Sequence, residues 1–290
     1  MSTSTPSSRS SATSPHVSAP AAAVRGDGLS RARTVLNKVP EVTAWFWVIK
    51  VLATTVGETF ADYLDGTLGL GLGGTSVLMT AVLVVVLVAQ LRADRYRAPL
   101  YWLTVVLVSV VGTLLTDCLT DAAGVPLVVS TTVFAVALAA TFAIWFAKER
   151  TLSIHAVTSL PRELFYWLAV LLTFALGTAA GDLLSEQVGL GYWPTALLVA
   201  VVIAAVAATR YGLGANAVAC FWVAYVLTRP LGASLGDGFS QAHTDGGLGL
   251  GTTWTSVVFL GVILACVTYL TVTKRDQTPA ESLSEPKVRH

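Results

Sequence analysis

Residues 46–64 read FWVIKVLATTVGETFADYL, and the frame they hold, an aromatic-Trp pair with Gly ten and Asp fifteen residues after the Trp, returns three more times. Phe46-Trp47 leads to Gly57 and Asp62, Tyr101-Trp102 to Gly112 and Asp117, Tyr166-Trp167 to Gly177 and Asp182, and Phe221-Trp222 to Gly232 and Asp237. Only eight of 290 residues are Trp, so four of them in one unslipped frame define an internal repeat, which is read before any single motif. The Trp-to-Trp steps of 55, 65 and 55 residues group the repeats in two pairs, as expected of a chain duplicated twice.

Composition sets the medium in which these repeats fold. Hydrophobic residues make up 54% and charged residues 12% of the chain, half the charge of a soluble domain. The deficit lies in long apolar runs such as 77–91 (VLMTAVLVVVLVAQL), 125–147, 195–208 and 254–272, which read as bilayer spans. The expected fold is therefore all-α and polytopic, with eight transmembrane helices near 42–64, 74–91, 99–120, 126–147, 163–184, 193–209, 215–236 and 252–272.

Lys and Arg orient the spans, because basic residues collect in cytoplasmic loops. Sixteen of the eighteen fall before helix one, between helices two and three, four and five, six and seven, or after helix eight, and the remaining two, Lys50 and Arg229, lie inside helices. Both termini are thereby predicted to be cytoplasmic, in a plasma membrane. Each repeat becomes a helical hairpin that leaves and re-enters the same side, so the four repeats are parallel rather than inverted. The domain plan is a disordered cytoplasmic tail at 1–36, a first membrane half at 37–147, a cytoplasmic linker at 148–162, a second half at 163–273 and a second tail at 274–290. The tails are too poor in large apolar residues to offset the entropy of ordering, and no apolar signal core stands before Val42.

Steps of four along each odd-numbered helix keep to one face. They give Lys50, Thr54, Glu58, Asp62; Val105, Ser109, Thr113, Asp117; Val170, Phe174, Thr178, Asp182; and Tyr225, Arg229, Ala233, Asp237. Ionisable groups in hydrocarbon face a protein interior or a water-filled cavity, so these stripes are expected to face one another while the even helices face lipid. The candidate polar pathway is Thr54, Glu58, Asp62, Ser109, Thr113, Asp117, Thr178, Asp182, Tyr225, Arg229 and Asp237, and Trp47, Trp102, Trp167, Trp222, Gly57, Gly112, Gly177 and Gly232 mark the repeats. At about 1.5 Å of rise per residue the Asp lies roughly 22 Å above its Trp, forming an outer ring that reads either as a cation mouth or as caps on the outer loops. Glu58 and Arg229 lie one turn apart in depth and pair if helices one and seven adjoin, for function or for packing alone. Lys50 sits one turn inside the Trp level and is expected to snorkel to the interface. Small residues let membrane helices approach, so the four glycines belong at helix contacts. In the outer loops Gly69, Gly124 and Gly189 follow the motif Asp by seven residues and Gly247 by ten, and Thr75, Thr195 and Thr253 are placed to cap the returning helices.

Cys118, Cys220 and Cys266 have no paired spacing, His243 with Asp245 and His155 lie in loops, and no nucleophile, base and orienting group form a set, so no enzyme is expected. No nucleotide fingerprint accompanies the glycines, and nucleic acid is not an expected partner.

The stretches at 37–64 (NKVPEVTAWFWVIKVLATTVGETFADYL), 153–183 (SIHAVTSLPRELFYWLAVLLTFALGTAAGDL) and 227–237 (LTRPLGASLGD) resemble a bacterial family of uncharacterised membrane-anchored proteins. The resemblance implies four tandem repeats of unknown function, each with two transmembrane regions and a characteristic Trp. The second repeat departs from the others, with no Gly-Leu-Gly loop. The leading functional expectation is a transporter or channel for a small ion or solute, a cation above others, since carboxylates and hydroxyls are hard donors and nine of seventeen acidic residues lie in the outer half. The alternative is a non-transporting membrane scaffold or sensor whose tails and 148–162 loop bind partners.

Overall fold

A computed structural model describes residues 37–67 and 69–277; the tail at 1–36 and residues 278–290 of the second tail lie outside the described residues. Among the described residues there are eight long helices and no strand: α1 (Ala44–Asp62), α2 (Gly71–Arg92), α3 (Ala98–Asp117), α4 (Leu127–Glu149), α5 (Leu160–Asp182), α6 (Tyr192–Gly212), α7 (Ala217–Ser240) and α8 (Gly251–Thr273). Seven are long and apolar enough to cross a membrane. The eighth, α1, carries Lys50, Glu58 and Asp62, and it buries the first two.

The odd helices form a closed ring in which α1 packs on α3, α3 on α5, α5 on α7 and α7 on α1. Each seam is set by a repeat-marking glycine. A Cβ on Gly57 would strike Ser109 of α3, one on Gly112 would strike Phe174 of α5, one on Gly177 would strike Arg229 of α7, and one on Gly232 would strike Thr54 of α1. All four partners stand seven residues after their own Trp, so one contact is used four times around the ring.

The even helices lie outside this ring and pack chiefly on the next repeat rather than on their own hairpin partners. Helix α2 packs on α3, α4 on α5, α6 on α7 and α8 on α1, so each repeat clasps the next and the last clasps the first. In the most apolar window of each helix 78% of α3 and 61% of α5 is buried, against 17% for each of α2, α4 and α6, which assigns the latter to the lipid-facing sheath.

The Trp level is a buried aromatic tier. Trp102, Trp167 and Trp222 are buried. The residue before each Trp meets the Trp of the next repeat: Phe46 on Trp102, Tyr101 on Trp167, Tyr166 on Trp222 and Phe221 on Trp47, with ring centroids 5.5, 5.6, 6.1 and 5.7 Å apart. Large aromatic area at this level closes the ring from within. The loops bearing the basic residues gather at the same end, where Lys38 Nζ donates to Glu163 Oε2 at 2.8 Å and to the Leu91 carbonyl at 2.9 Å.

One local expectation is corrected at the opposite, acidic end. Helices α2, α6 and α8 begin at Gly71, Tyr192 and Gly251, so Thr75, Thr195 and Thr253 lie within the first turns and cap nothing; Thr75 and Thr195 are fully buried. Glycines with positive φ, among them Gly69, Gly71, Gly189 and Gly191, reverse the chain earlier than a hydroxyl cap would require. Helices α1, α3 and α5 also end in five-residue π-turns, Tyr63–Thr67, Cys118–Ala122 and Leu183–Gln187, that start directly after the motif Asp. The fourth repeat has a longer loop, and there α7 continues to Ser240 before a 3₁₀ turn at His243–Asp245.

Candidate functional site on the ring axis

Among the described residues of the motif stripes, Arg229 alone has a side chain hydrogen-bonded to all three other inner helices. Its Nη1 donates to the Thr54 carbonyl of α1 at 2.8 Å, and its Nη2 donates to Glu58 Oε2 of α1 at 2.6 Å, to Thr178 Oγ1 of α5 at 2.6 Å and to Thr113 Oγ1 of α3. Contact with every member of the ring puts the guanidinium on its axis. It has no exposed surface, and α7 delivers it beside Gly177, where the absence of a Cβ leaves room for the Arg229 stem. A planar fork of donors suits such a junction, since it serves several acceptors without a change of rotamer.

Above Arg229 a cluster of carboxylates, the acidic cup, stands at the end of the ring away from the aromatic tier. One oxygen each from Glu58, Asp182 and Asp237 lie within 4.8 Å of one another. Asp62 is in electrostatic reach of Glu58 and Arg229, and Asp117 of Glu58 and Asp182, so the other two motif Asp stand in the field of this cluster without joining it. Oxygens with that spacing fit around one hard cation, whose ligands stand at about 2.1–2.5 Å from the ion and hence up to twice that from each other. Thr113 Oγ1 donates to Glu58 Oε2 at 3.3 Å, so Arg229 and Thr113 hold one Glu58 oxygen and Oε1 takes no part in those bonds.

The structure thus brings together Glu58, Asp62, Thr113, Asp117, Thr178, Asp182, Arg229 and Asp237, with Thr54 contributing its carbonyl and its side chain sealing the α1–α7 seam through a 3.2 Å bond to the Thr228 carbonyl. Ser109 is not in the cup; it lies in the α1–α3 seam against Gly57. Tyr225 belongs to the aromatic tier. His243 serves its own loop, with Nδ1 3.1 Å from the Gly247 carbonyl.

Lys50 is the correction with most consequence. It does not snorkel: it is 1% exposed, and its Nζ, with no hydrogen-bond partner, stands 3.7 Å from the Phe174 ring centroid and 4.2 Å from that of Tyr225. The signal was present in the stripes, where Phe174 and Tyr225 sit at the levels a lysine rising from position 50 reaches.

These features define a class: a membrane protein in which four tandem helix pairs close around a buried polar axis. The chain belongs to the family described as Repeat of Unknown Function (DUF347), which matches residues 45–96, 100–151, 165–215 and 220–276. No curated protein and no solved structure matches the chain.

Proposed function

We propose that this chain is a multi-pass carrier of a small hard cation, a divalent metal ion by preference, in the plasma membrane, with both termini cytoplasmic. The observation that carries the reading is the meeting of the Glu58, Asp182 and Asp237 oxygens within 4.8 Å at the acidic end of the ring axis. Glu58, Asp182 and Asp237 share one guanidinium there, with Asp62 and Asp117 in electrostatic reach, which leaves the cup attractive to positive charge. Below the cup the axis is filled by Lys50, Phe174 and the aromatic tier, so the arrangement fits a carrier that opens to one side at a time better than an open channel. That same blocked axis favours the second reading, a cation sensor or scaffold that binds without transport.

The test is uptake of Mg²⁺, Mn²⁺ or Ca²⁺ into liposomes holding the purified full chain and a trapped metal dye. Asp182→Asn with Asp237→Asn should lower uptake by at least about tenfold, a loss that removing even an outer-shell partner of a metal produces. Binding without uptake selects the sensor, and neither binding nor uptake ends both readings.

A further inference from the structure

The four returning helices are equivalent by sequence, yet α6 does not pack as the other three do. Thr75, Ser130, Thr195 and Thr255 hold one position near the start of α2, α4, α6 and α8, and all four are buried. Eight residues further on stand Leu83, Leu138, Ile203 and Ile263, and fifteen further on stand Gln90, Trp145, Arg210 and Leu270. In α2, α4 and α8 both positions are buried; in α6 neither is. The buried residues of α6 are Thr195, Ala196 and Val199, all in its first half, so its second half leaves its inner face uncovered.

What opens there is a groove of about 510 Å³ at the basic end, walled by α6, α7, Trp47 and the 152–155 segment. That volume lies in the range of ligand sites. The preceding repeat shows what fills the matching place. Around Trp222, α4 supplies Phe142 and Trp145, with ring centroids 4.9 and 5.9 Å away, and Trp145 stacks at 6.2 Å on Phe165 of α5. One repeat later the same three positions are Ala207, Arg210 and Cys220, and all three line the groove. Three rings are lost together, and Trp47 is left half-buried where Trp222 is buried.

The charge at the end of this groove selects what replaces the rings. Arg210, in the last turn of α6, takes part in no hydrogen bond or ion pair among the described residues. His155 lines the same groove, but its Nδ1 stands 3.9 Å from Glu41 Oε2, so Arg210 is the cation left without a carboxylate. Tyr211 and Leu213 follow it, 88% and 82% exposed, at the level where a chain leaves hydrocarbon for headgroups. The tail at 1–36 offers few large apolar side chains with which to fill an apolar groove. We propose that the groove binds one anionic phospholipid, with an acyl chain between α6 and α7 in place of the missing rings and the phosphate on Arg210. Basic pockets between membrane helices on the cytoplasmic side hold such headgroups, and a planar fork of donors matches phosphate oxygens. The site stands apart from the acidic cup and does not depend on the cation reading.

The experiment places the purified full chain in phosphatidylcholine vesicles doped with a phosphatidylglycerol whose acyl chain carries a photoreactive diazirine; a phosphatidylcholine with the same chain is the control. On illumination the phosphatidylglycerol probe is expected to label peptides spanning 203–211 and 217–224. It should do so about fivefold more than the control, the preference that one basic side chain adds at an anionic headgroup. Arg210→Gln should remove the preference and leave the labelled peptides the same. Ala207→Phe with Cys220→Phe, which restores two of the rings found around Trp222, should reduce labelling there by both probes. Equal labelling by the two probes in wild type, or a preference that survives Arg210→Gln, overturns the proposal. Labelling spread evenly over α2, α4 and α6 reports bulk lipid and overturns it as well. Labelling that appears only after residues 1–36 are deleted gives the groove to the tail, and labelling that appears only when the protein is diluted in the vesicle gives it to a second copy; either displaces the lipid. Should the double variant fail to fold, Arg210→Gln decides.

Discussion

Arg229 Nη2 lies 2.6 Å from Glu58 Oε2, and this ion pair joins the first repeat to the fourth, where the ring closes. The guanidinium is fully buried and the carboxylate nearly so. Removing one partner of such a pair strands a charge and costs about 3–5 kcal/mol, whereas replacing both by apolar groups of similar size is often neutral or better. Arg229→Met is therefore expected to destabilise the protein by that amount, and Arg229→Met with Glu58→Met to be more stable than the single variant. Thermal unfolding of the purified variants in detergent checks it. Losses that simply add would show that the two side chains do not act as a unit.

The seam glycines give a sharper contrast. A Cβ at Gly177 would overlap the Arg229 stem and stand 3.0 Å from Pro230 Cδ, while one at Gly261, on the lipid-facing part of α8, has nothing within 4 Å. Gly177→Ala is expected to lose about 1–3 kcal/mol through overpacking, and Gly261→Ala to gain up to about 1 kcal/mol from helix propensity. The same unfolding measurement separates them, and equal effects would remove the close-contact account of the seams.

Much of this architecture is written in the spacing of four residue types. The fixed steps from Trp to Gly to Asp identify the repeats, and steps of four place Glu58, Thr113, Thr178 and Arg229 on facing stripes, which the structure brings into one cluster. What spacing does not encode is which neighbour a helix chooses. Helices α2, α4, α6 and α8 are apolar on every face, so nothing in them distinguishes their own repeat from the next, and the clasp of one repeat on another emerges only from ring closure. Lys50 was misplaced for a related reason: snorkelling is judged by depth alone, and the ring faces of Phe174 and Tyr225 that hold its Nζ come from other repeats. The π-turns after Asp62, Asp117 and Asp182 shift the hydrogen-bond step by one residue, a change that residue type does not announce.

Asp276 supplies a pH signature outside the spans. Burial raises its carboxyl above the ordinary value of about 3.9, although the Tyr96 hydroxyl works against the shift. An acid raised in this way binds its proton more tightly folded than unfolded. Its contribution is present in full below the unfolded value and is lost as pH rises from there through the folded value. Asp276→Asn cannot ionise and escapes that loss. Between pH 4 and pH 7 the unfolding temperature of the variant minus that of wild type should therefore rise, and a signed difference that stays constant or falls would contradict the burial account.

The final prediction concerns α1, which falls short of a membrane span by composition. If α1 did not cross, seven crossings would put the two ends of the described chain on opposite sides. The ring argues that it does cross, because α1 packs on α3 and α7 along its length and buries Lys50 and Glu58 among them, so lipid never meets the charges that lower its hydropathy. In a chain whose Cys118, Cys220 and Cys266 are replaced by serine, single cysteines at Ala44, Arg95 and Arg275 should stay unlabelled by an impermeant maleimide on intact cells and react after permeabilisation. A cysteine at His243, in the exposed loop at the acidic end, should react at once. Labelling of Ala44→Cys from outside while Arg275→Cys stays protected would show that α1 does not cross, and labelling of Arg95→Cys would reverse the orientation drawn from the basic residues.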